Sequence, residues 1–173
     1  MNPAALILIA SLIPSQDTGA SAQPPRRGTK APKSEHQHEV DTSGDKAMGF
    51  SHMKTTHHFI LQAQGGAIQV DANSKDDKES RDQIQSHLGH IAKMFAEGDF
   101  NTPMLVHSVR PPGTSTMTKL KAEISYTYEP SATGGRIVIA TRHKEALAAV
   151  HEFLRFQIKD HATGDPLTIQ PAK

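Results

Sequence analysis

The sequence of 173 residues contains no cysteine and no tryptophan, and aromatic residues make up only 5% of it. The absence of cysteine excludes disulfide bonds, thiolate metal sites and a cysteine nucleophile. It also excludes a lipid anchor on an N-terminal cysteine. The longest apolar run, "AALILIASLIP" at residues 4–14, is too short to span a bilayer as a helix, which needs about 20 residues.

The chain also lacks an excess of charge of either sign. It has 19 Lys and Arg against 18 Asp and Glu. Removing residues 1–22 takes away only Asp17, so the remaining balance is 19 − 17 = +2. A value so near neutral gives no support to nucleic-acid binding or to an anionic membrane surface. We therefore expect no nucleic-acid partner and no stable membrane anchor.

Residues 1–22 have the pattern of a signal peptide. An apolar segment is followed by the small residues "ASA" at 20–22, directly before Gln23. The stretch before the apolar segment holds no Lys or Arg, which is unusual for such a peptide; a start codon placed too late would account for that. The pattern predicts export, to a periplasmic or extracellular location.

The remainder divides by composition. Residues 23–52 are rich in Pro, Lys, Ser and Gly and poor in aliphatic residues, so they are predicted to be a disordered linker. Residues 53–169 are predicted to form a single folded domain, followed by a short tail at 170–173. A domain of that length is close to the commonest size.

Within the domain, a hairpin followed by a helix occurs twice. Two strand-like runs surround Gly-Gly at 65–66, and two more precede and follow Gly-Gly at 134–135. Each hairpin precedes a segment with helical apolar periodicity, one containing Ile84, Leu88, Ile91 and Phe95, the other Leu147, Val150, Leu154 and Ile158. A short extended piece at 104–109 and a small helix capped by Thr114 or Ser115 are predicted between them. This order predicts an α+β fold, an antiparallel sheet with helices on one face, built from a duplicated ββα unit.

Histidine is the residue type present in excess, at eleven copies. No nucleotide-binding glycine motif and no hydrolase serine motif occurs. His87 and His90 lie three residues apart on the first long helix, where residues of adjacent turns can converge on one ion. They lack the intervening Glu of the H-E-x-x-H zinc proteases. His151 falls inside the apolar stripe of the second helix, at a place that matches His87, and is either a hydrogen-bonded core residue or a ligand.

Three further histidines are reserve ligands. His57 and His58 open the first strand, and strand alternation sends them to opposite faces, with His57 on the side of Phe59. His107 lies near Met104 in "MLVH". A methionine sulfur, from Met104 or Met94, together with imidazoles suits copper, whereas imidazole with carboxylate suits zinc or iron.

Two functions from different classes follow from these residues. The first is an exported domain that binds a transition metal (zinc, copper or iron) through His87, His90 and His151, with His57, His58 and His107 in reserve. The second is a metal-free binding or interaction module, a homodimer if the phenylalanines of the second helix meet a partner. Three imidazoles around an open position would also suit a catalytic metal, but no base or substrate pocket can be assigned from the chain.

The segments "MGFSHMKTTHHFIL", "HLGHIAKMFAEGDF", "PPGTSTM" and "HEFLRFQIKDHATGDP" carry a resemblance. Together they are similar to a family of uncharacterised bacterial proteins without an assigned activity, over about residues 48–166. The resemblance implies a single folded domain and transfers no catalytic residue to this chain.

Overall fold

The computed structural model describes residues 34–171. The predicted signal peptide, the start of the predicted linker and the last residues of the tail lie outside this range. The described residues form five α-helices, four β-strands and a short 3-10 helix at Lys121–Glu123. In chain order the elements are α1 (Glu35–Met48), β1 (Thr55–Gln62), β2 (Gly65–Ala72), α2 (Lys78–Ala96), α3 (Asn101–His107), α4 (Thr114–Lys119), β3 (Ile124–Pro130), β4 (Gly134–Thr141) and α5 (Lys144–Asp160).

The four strands form one antiparallel sheet in the order β1-β2-β4-β3. Each hairpin is followed by a long helix, so the chain has the ββα order twice, and the second strand of each hairpin lies in the middle of the sheet. This confirms the predicted α+β fold. Apolar and polar residues alternate along the strands, and this gives the sheet one apolar face. Phe59 pairs with Ile68, and Ile68 pairs with Ile137, so one row of apolar side chains crosses three strands.

Helices α2 and α5 cover the apolar face of the sheet. The predicted stripe of α2 is buried, and Phe95 of that stripe meets Phe153 of α5 edge to face, with ring centroids 5.9 Å apart. Phe156 packs against the ring of His107 at 5.0 Å. Phe153 is therefore buried within the chain, while Phe156 stays partly exposed. The homodimer predicted from these phenylalanines stays a prediction. No helix among residues 34–171 has the length and apolar character needed to cross a membrane.

The prediction of a disordered linker is wrong for its second half, because residues 35–48 form helix α1. Ser34 caps this helix and Gln37 completes a reciprocal capping box, while Gly49 ends it in the left-handed conformation with φ 79°. Val40 and Phe50 are buried. The composition of this segment did not predict the helix, because a capping box and two buried apolar residues are enough to dock a helix that is otherwise polar.

The segment between the two units also departs from prediction. Residues 104–109, expected to be extended, belong mainly to helix α3. Pro103 stands in the first turn of that helix, where its missing N–H costs nothing. Helix α4 confirms the small helix predicted there, although its cap is Gly113, and the hydroxyl of Thr114 donates to the carbonyl oxygen of Pro111 at 2.7 Å.

Candidate functional site

A cavity of about 70 Å³ lies between the sheet and the helices. Its walls are mostly apolar, with Phe59, Ile91 and Phe153 among them. Four imidazoles also line it, and each comes from a different element: His57 from β1, His87 from α2, His107 from α3 and His161 from the residue that caps α5. The fold therefore gathers histidines that are far apart in sequence around one apolar space.

His57 and His161 form the closest parallel pair. Their ring planes differ by 3° and their centroids are 5.8 Å apart. The Nε2 atom of His57 is buried and has no hydrogen-bond partner. Strand alternation puts His57 on the core side with Phe59, as the sequence predicts. A buried nitrogen without a partner costs about 1–3 kcal/mol, so this atom marks a place where a bound group would stabilise the protein.

The cavity keeps its free imidazoles neutral. Burial lowers the pKa of His57 to about 4 and that of His161 to about 3. Burial, with a smaller contribution from His90, lowers the pKa of His87 to about 4. In each case desolvation disfavours the charged ring. At pH 7 these three side chains are uncharged, and each has a nitrogen lone pair to offer.

His107 is held differently, because both of its ring nitrogens have partners. Nδ1 donates to the Asp160 carboxylate at 2.5 Å, and Nε2 lies 3.0 Å from the side-chain oxygen of Gln157. The Gln157 amide nitrogen is buried without a partner. His107 thus links α3 to α5 through these two contacts. The contact with Gln157 also fixes the side-chain amide of Gln157 at the cavity.

Helix α1 contributes one side chain, Met48, to the cavity wall, and histidine–carboxylate contacts lie at both of its ends. His36 donates to Asp160 at 2.8 Å, and that carboxylate raises the pKa of His36. At the other end of the helix, the backbone N–H of His52 donates to Asp45 at 2.7 Å. Between these two contacts, α1 places the Met48 side chain on the cavity wall.

The three histidines first expected to share a metal do not meet. His87 lines the cavity, but His90 is exposed and borders a different groove, beside Tyr126 and Tyr128. The Nε2 atom of His151 donates to the carbonyl oxygens of Gln62 and Gly65, at 2.9 and 3.0 Å. His151 is therefore a core residue that ties α5 to the β1–β2 turn.

Of the reserve ligands, His57 and His107 reach the cavity and His58 does not. His58 lies on the opposite side of β1 and its Nδ1 atom is 2.8 Å from a carboxylate oxygen of Asp165. The other oxygen of Asp165 accepts from the Phe59 N–H at 2.9 Å. Burial opposes the charge of Asp165, but hydrogen bonds from Thr163 and Phe59 outweigh it and lower the pKa of this carboxyl.

Within residues 34–171, no group of three or more His, Cys, Asp or Glu side chains is arranged to hold a metal ion. Neither Met94 nor Met104, the two methionines considered from the sequence, lines the cavity; Met48 does. The sequence pattern places His161 at the end of the α5 stripe but does not single it out. His161 can be recognised as a candidate only once the fold is known, because its neighbours His57 and His107 belong to β1 and α3.

No protein family model matches the sequence, and no curated protein or solved structure matches it significantly. The resemblance to uncharacterised bacterial proteins thus stays a prediction.

Proposed function

We propose that this domain binds one transition metal ion in its histidine cavity, through His57 and His161, with His87 as an additional donor. The observation that carries the proposal is the buried Nε2 atom of His57, which has no hydrogen-bond partner in a cavity shared with two other neutral imidazoles. A bound metal would be ligated by the lone pair of this nitrogen.

The spacing of the two rings supports the proposal. A metal–nitrogen bond of about 2.0 Å puts each ring centroid about 3 Å from the ion, so two imidazoles on one ion have centroids about 5–6 Å apart. The centroids of His57 and His161 are separated by 5.8 Å. The two rings are stacked with nearly parallel planes, so both must turn before their in-plane lone pairs can meet at one ion.

The size and protonation of the cavity support an ion over a larger ligand. Pockets for small organic molecules usually measure about 300–1,000 Å³. The cavity has about 70 Å³. Its three unengaged imidazoles are already deprotonated at neutral pH, which is the state that a metal requires.

The test uses the full chain, purified without a histidine tag and stripped with a chelator. We expect one equivalent of zinc or copper to bind, and the melting temperature to rise by about 5–10 °C at a metal concentration a hundred times the dissociation constant. His57→Phe and His161→Phe keep an aromatic ring and should lose this binding. His90→Gln, on the exposed side of α2, is the matched control and should retain it. Elemental analysis and calorimetry give stoichiometry and affinity.

The second candidate is a metal-free binding module. It is favoured by the side-chain amide of Gln157, a polar group that lines the cavity among apolar side chains and imidazoles. That arrangement suits a very small, mostly apolar molecule with one hydrogen-bond acceptor. A stripped protein whose melting is unmoved by zinc and by copper would reject the metal proposal and leave this candidate. Gln157→Leu would then be expected to abolish the binding of such a molecule.

We also propose that the protein is exported, which is supported by the sequence of residues 1–22 alone. Expression of the full chain in a bacterial host with intact secretion is expected to yield a processed protein that begins at Gln23. N-terminal sequencing of the periplasmic fraction checks this. Recovery of unprocessed chain only in the cytoplasm would contradict the proposal.

A further inference from the structure

The cavity carries one donor that differs in kind from the imidazoles. Met48, the last residue of α1, lines the same space as His57 and His161, and its side chain is packed against the core while remaining partly exposed. His36 at the start of α1 bonds to Asp160 of α5, and Val40 of the same helix is buried, so the helix is docked on the rest of the domain. A thioether sulfur is a soft, uncharged ligand.

The charge of the cavity restricts which ion it can accept. No Asp or Glu lines it within the described part of the chain, and Asp160, which contacts the cavity imidazole His107, is also engaged with His36. An ion bound by neutral donors alone keeps its full charge inside an apolar space, and the cost of burying charge rises steeply with its magnitude. A divalent ion is therefore much less favoured here than a monovalent one.

The donor set of the cavity also favours a monovalent ion over a divalent one. Structural zinc takes four ligands in a tetrahedron, usually with thiolates or carboxylates among them. Among the described residues, no three His, Cys, Asp or Glu side chains are arranged to hold an ion together. His57, His161 and the thioether of Met48, with His87 as the additional donor, are all neutral, and soft donors such as a thioether select copper in its reduced state.

We infer that the cavity is a copper(I) site formed by His57, His161 and Met48. The inference rests on the proposed metal-binding function and specifies the ion and the third ligand. No change of oxidation state is part of it: copper enters as Cu(I) and is held as Cu(I). Helix α1, which sequence composition assigned to a linker, then contributes a ligand.

The experiment compares two metals on the same stripped, untagged full chain. Cu(I) is supplied anaerobically from a coloured Cu(I) chelator of known affinity, and Zn²⁺ is titrated in parallel. Met48→Leu keeps the volume and apolar character of the side chain and is expected to weaken Cu(I) binding at least tenfold. Met94→Leu, a partly buried methionine outside the cavity, is the matched control and should change Cu(I) binding less than twofold.

X-ray absorption provides a readout that a merely structural role of Met48 would not alter. The wild-type Cu(I) protein should show a sulfur scatterer beside its nitrogen neighbours, and the Met48→Leu protein should show only nitrogen neighbours. Circular dichroism melting of both variants establishes that they are folded before metal is added.

The outcomes separate this inference from the function on which it rests. Tight Cu(I) binding that depends on His57, His161 and Met48 supports both. Zn²⁺ bound as tightly as Cu(I), or Cu(I) bound without a sulfur neighbour and unaffected by Met48→Leu, overturns the copper(I) site and leaves the metal-binding proposal standing. Absence of binding of either ion to the folded wild type overturns both.

Discussion

Lowering the pH of the metal-free protein from 7 to 4 is expected to destabilise it by several kcal/mol, with unfolding beginning well before its carboxylates are protonated. The cause is the group of buried neutral imidazoles. Folding lowers the pKa of His57 and His87 from 6.5 to about 4 and that of His161 to about 3. A pKa shift of this size for one residue corresponds to roughly 3 kcal/mol of the free energy of unfolding. Because the three histidines are neighbours and titrate as a coupled group, their total contribution is less than three times that value.

The direction follows from which state binds protons more readily. Between pH 6.5 and about 4 the unfolded chain protonates these histidines while the folded protein keeps them neutral, so falling pH favours unfolding. Above pH 6.5 neither state is protonated and the full stability is present. Carboxyls whose pKa is lowered in the fold, Asp160 and Asp165 among them, lose their contribution only below their ordinary value of 3.8.

Chemical denaturation at a series of pH values, followed by circular dichroism, measures this loss. His161→Phe preserves a ring against Phe59, whose centroid lies 5.4 Å from that of His161. This variant should be less sensitive to acid between pH 6.5 and 4 than the wild type. The His38→Gln variant, at an exposed position of α1 that does not line the cavity, should follow the wild type. A wild-type protein that keeps its stability down to pH 4 would show that the cavity rings are not held neutral by burial.

The sheet and its two covering helices were predictable because their signals are local. Period-two alternation in the strands and the four apolar residues of the α2 stripe each specify an element and its buried face. Helix α1 was not predictable from composition, because its burial depends on only a few residues such as Val40 and Phe50. Those residues become informative only when read together with the capping box at Ser34.

The candidate site depends even more on contacts that local sequence patterns do not reveal. Alternation correctly turned His57 toward the core, and His87, one of the first histidines considered as a ligand, also lines the cavity. Which histidines meet, however, depends on how α3 and the end of α5 pack across β1. The matching positions of His87 and His151 in the two units were misleading: the duplicated order places them in different surroundings, one at the cavity and one at a turn.

Replacing the first glycine of either Gly-Gly pair by alanine is expected to prevent folding or to cost at least about 4 kcal/mol, among the largest effects of any single substitution in this chain. A Cβ on Gly65 would lie 1.9 Å from the carbonyl oxygen of Ile139, and one on Gly134 would lie 2.1 Å from that of Val70. Both atoms belong to the facing central strand, so the clash can be relieved only by separating β2 from β4. Gly65 also has φ 141°, which alanine rarely adopts.

Two other glycines provide controls for this prediction. Gly49 has φ 79° but nothing within 4 Å of an added Cβ, so Gly49→Ala should cost only about 1–2 kcal/mol, for the left-handed backbone alone. Gly89 lies inside α2 and its added Cβ would make an ordinary contact with Tyr128 at 3.8 Å; Gly89→Ala should stabilise the helix by up to about 1 kcal/mol. Urea denaturation ranks the four variants. Because the clashes at Gly65 and Gly134 are with backbone, a Gly65→Ala or Gly134→Ala protein as stable as Gly49→Ala would mean that β2 and β4 do not pair in this register.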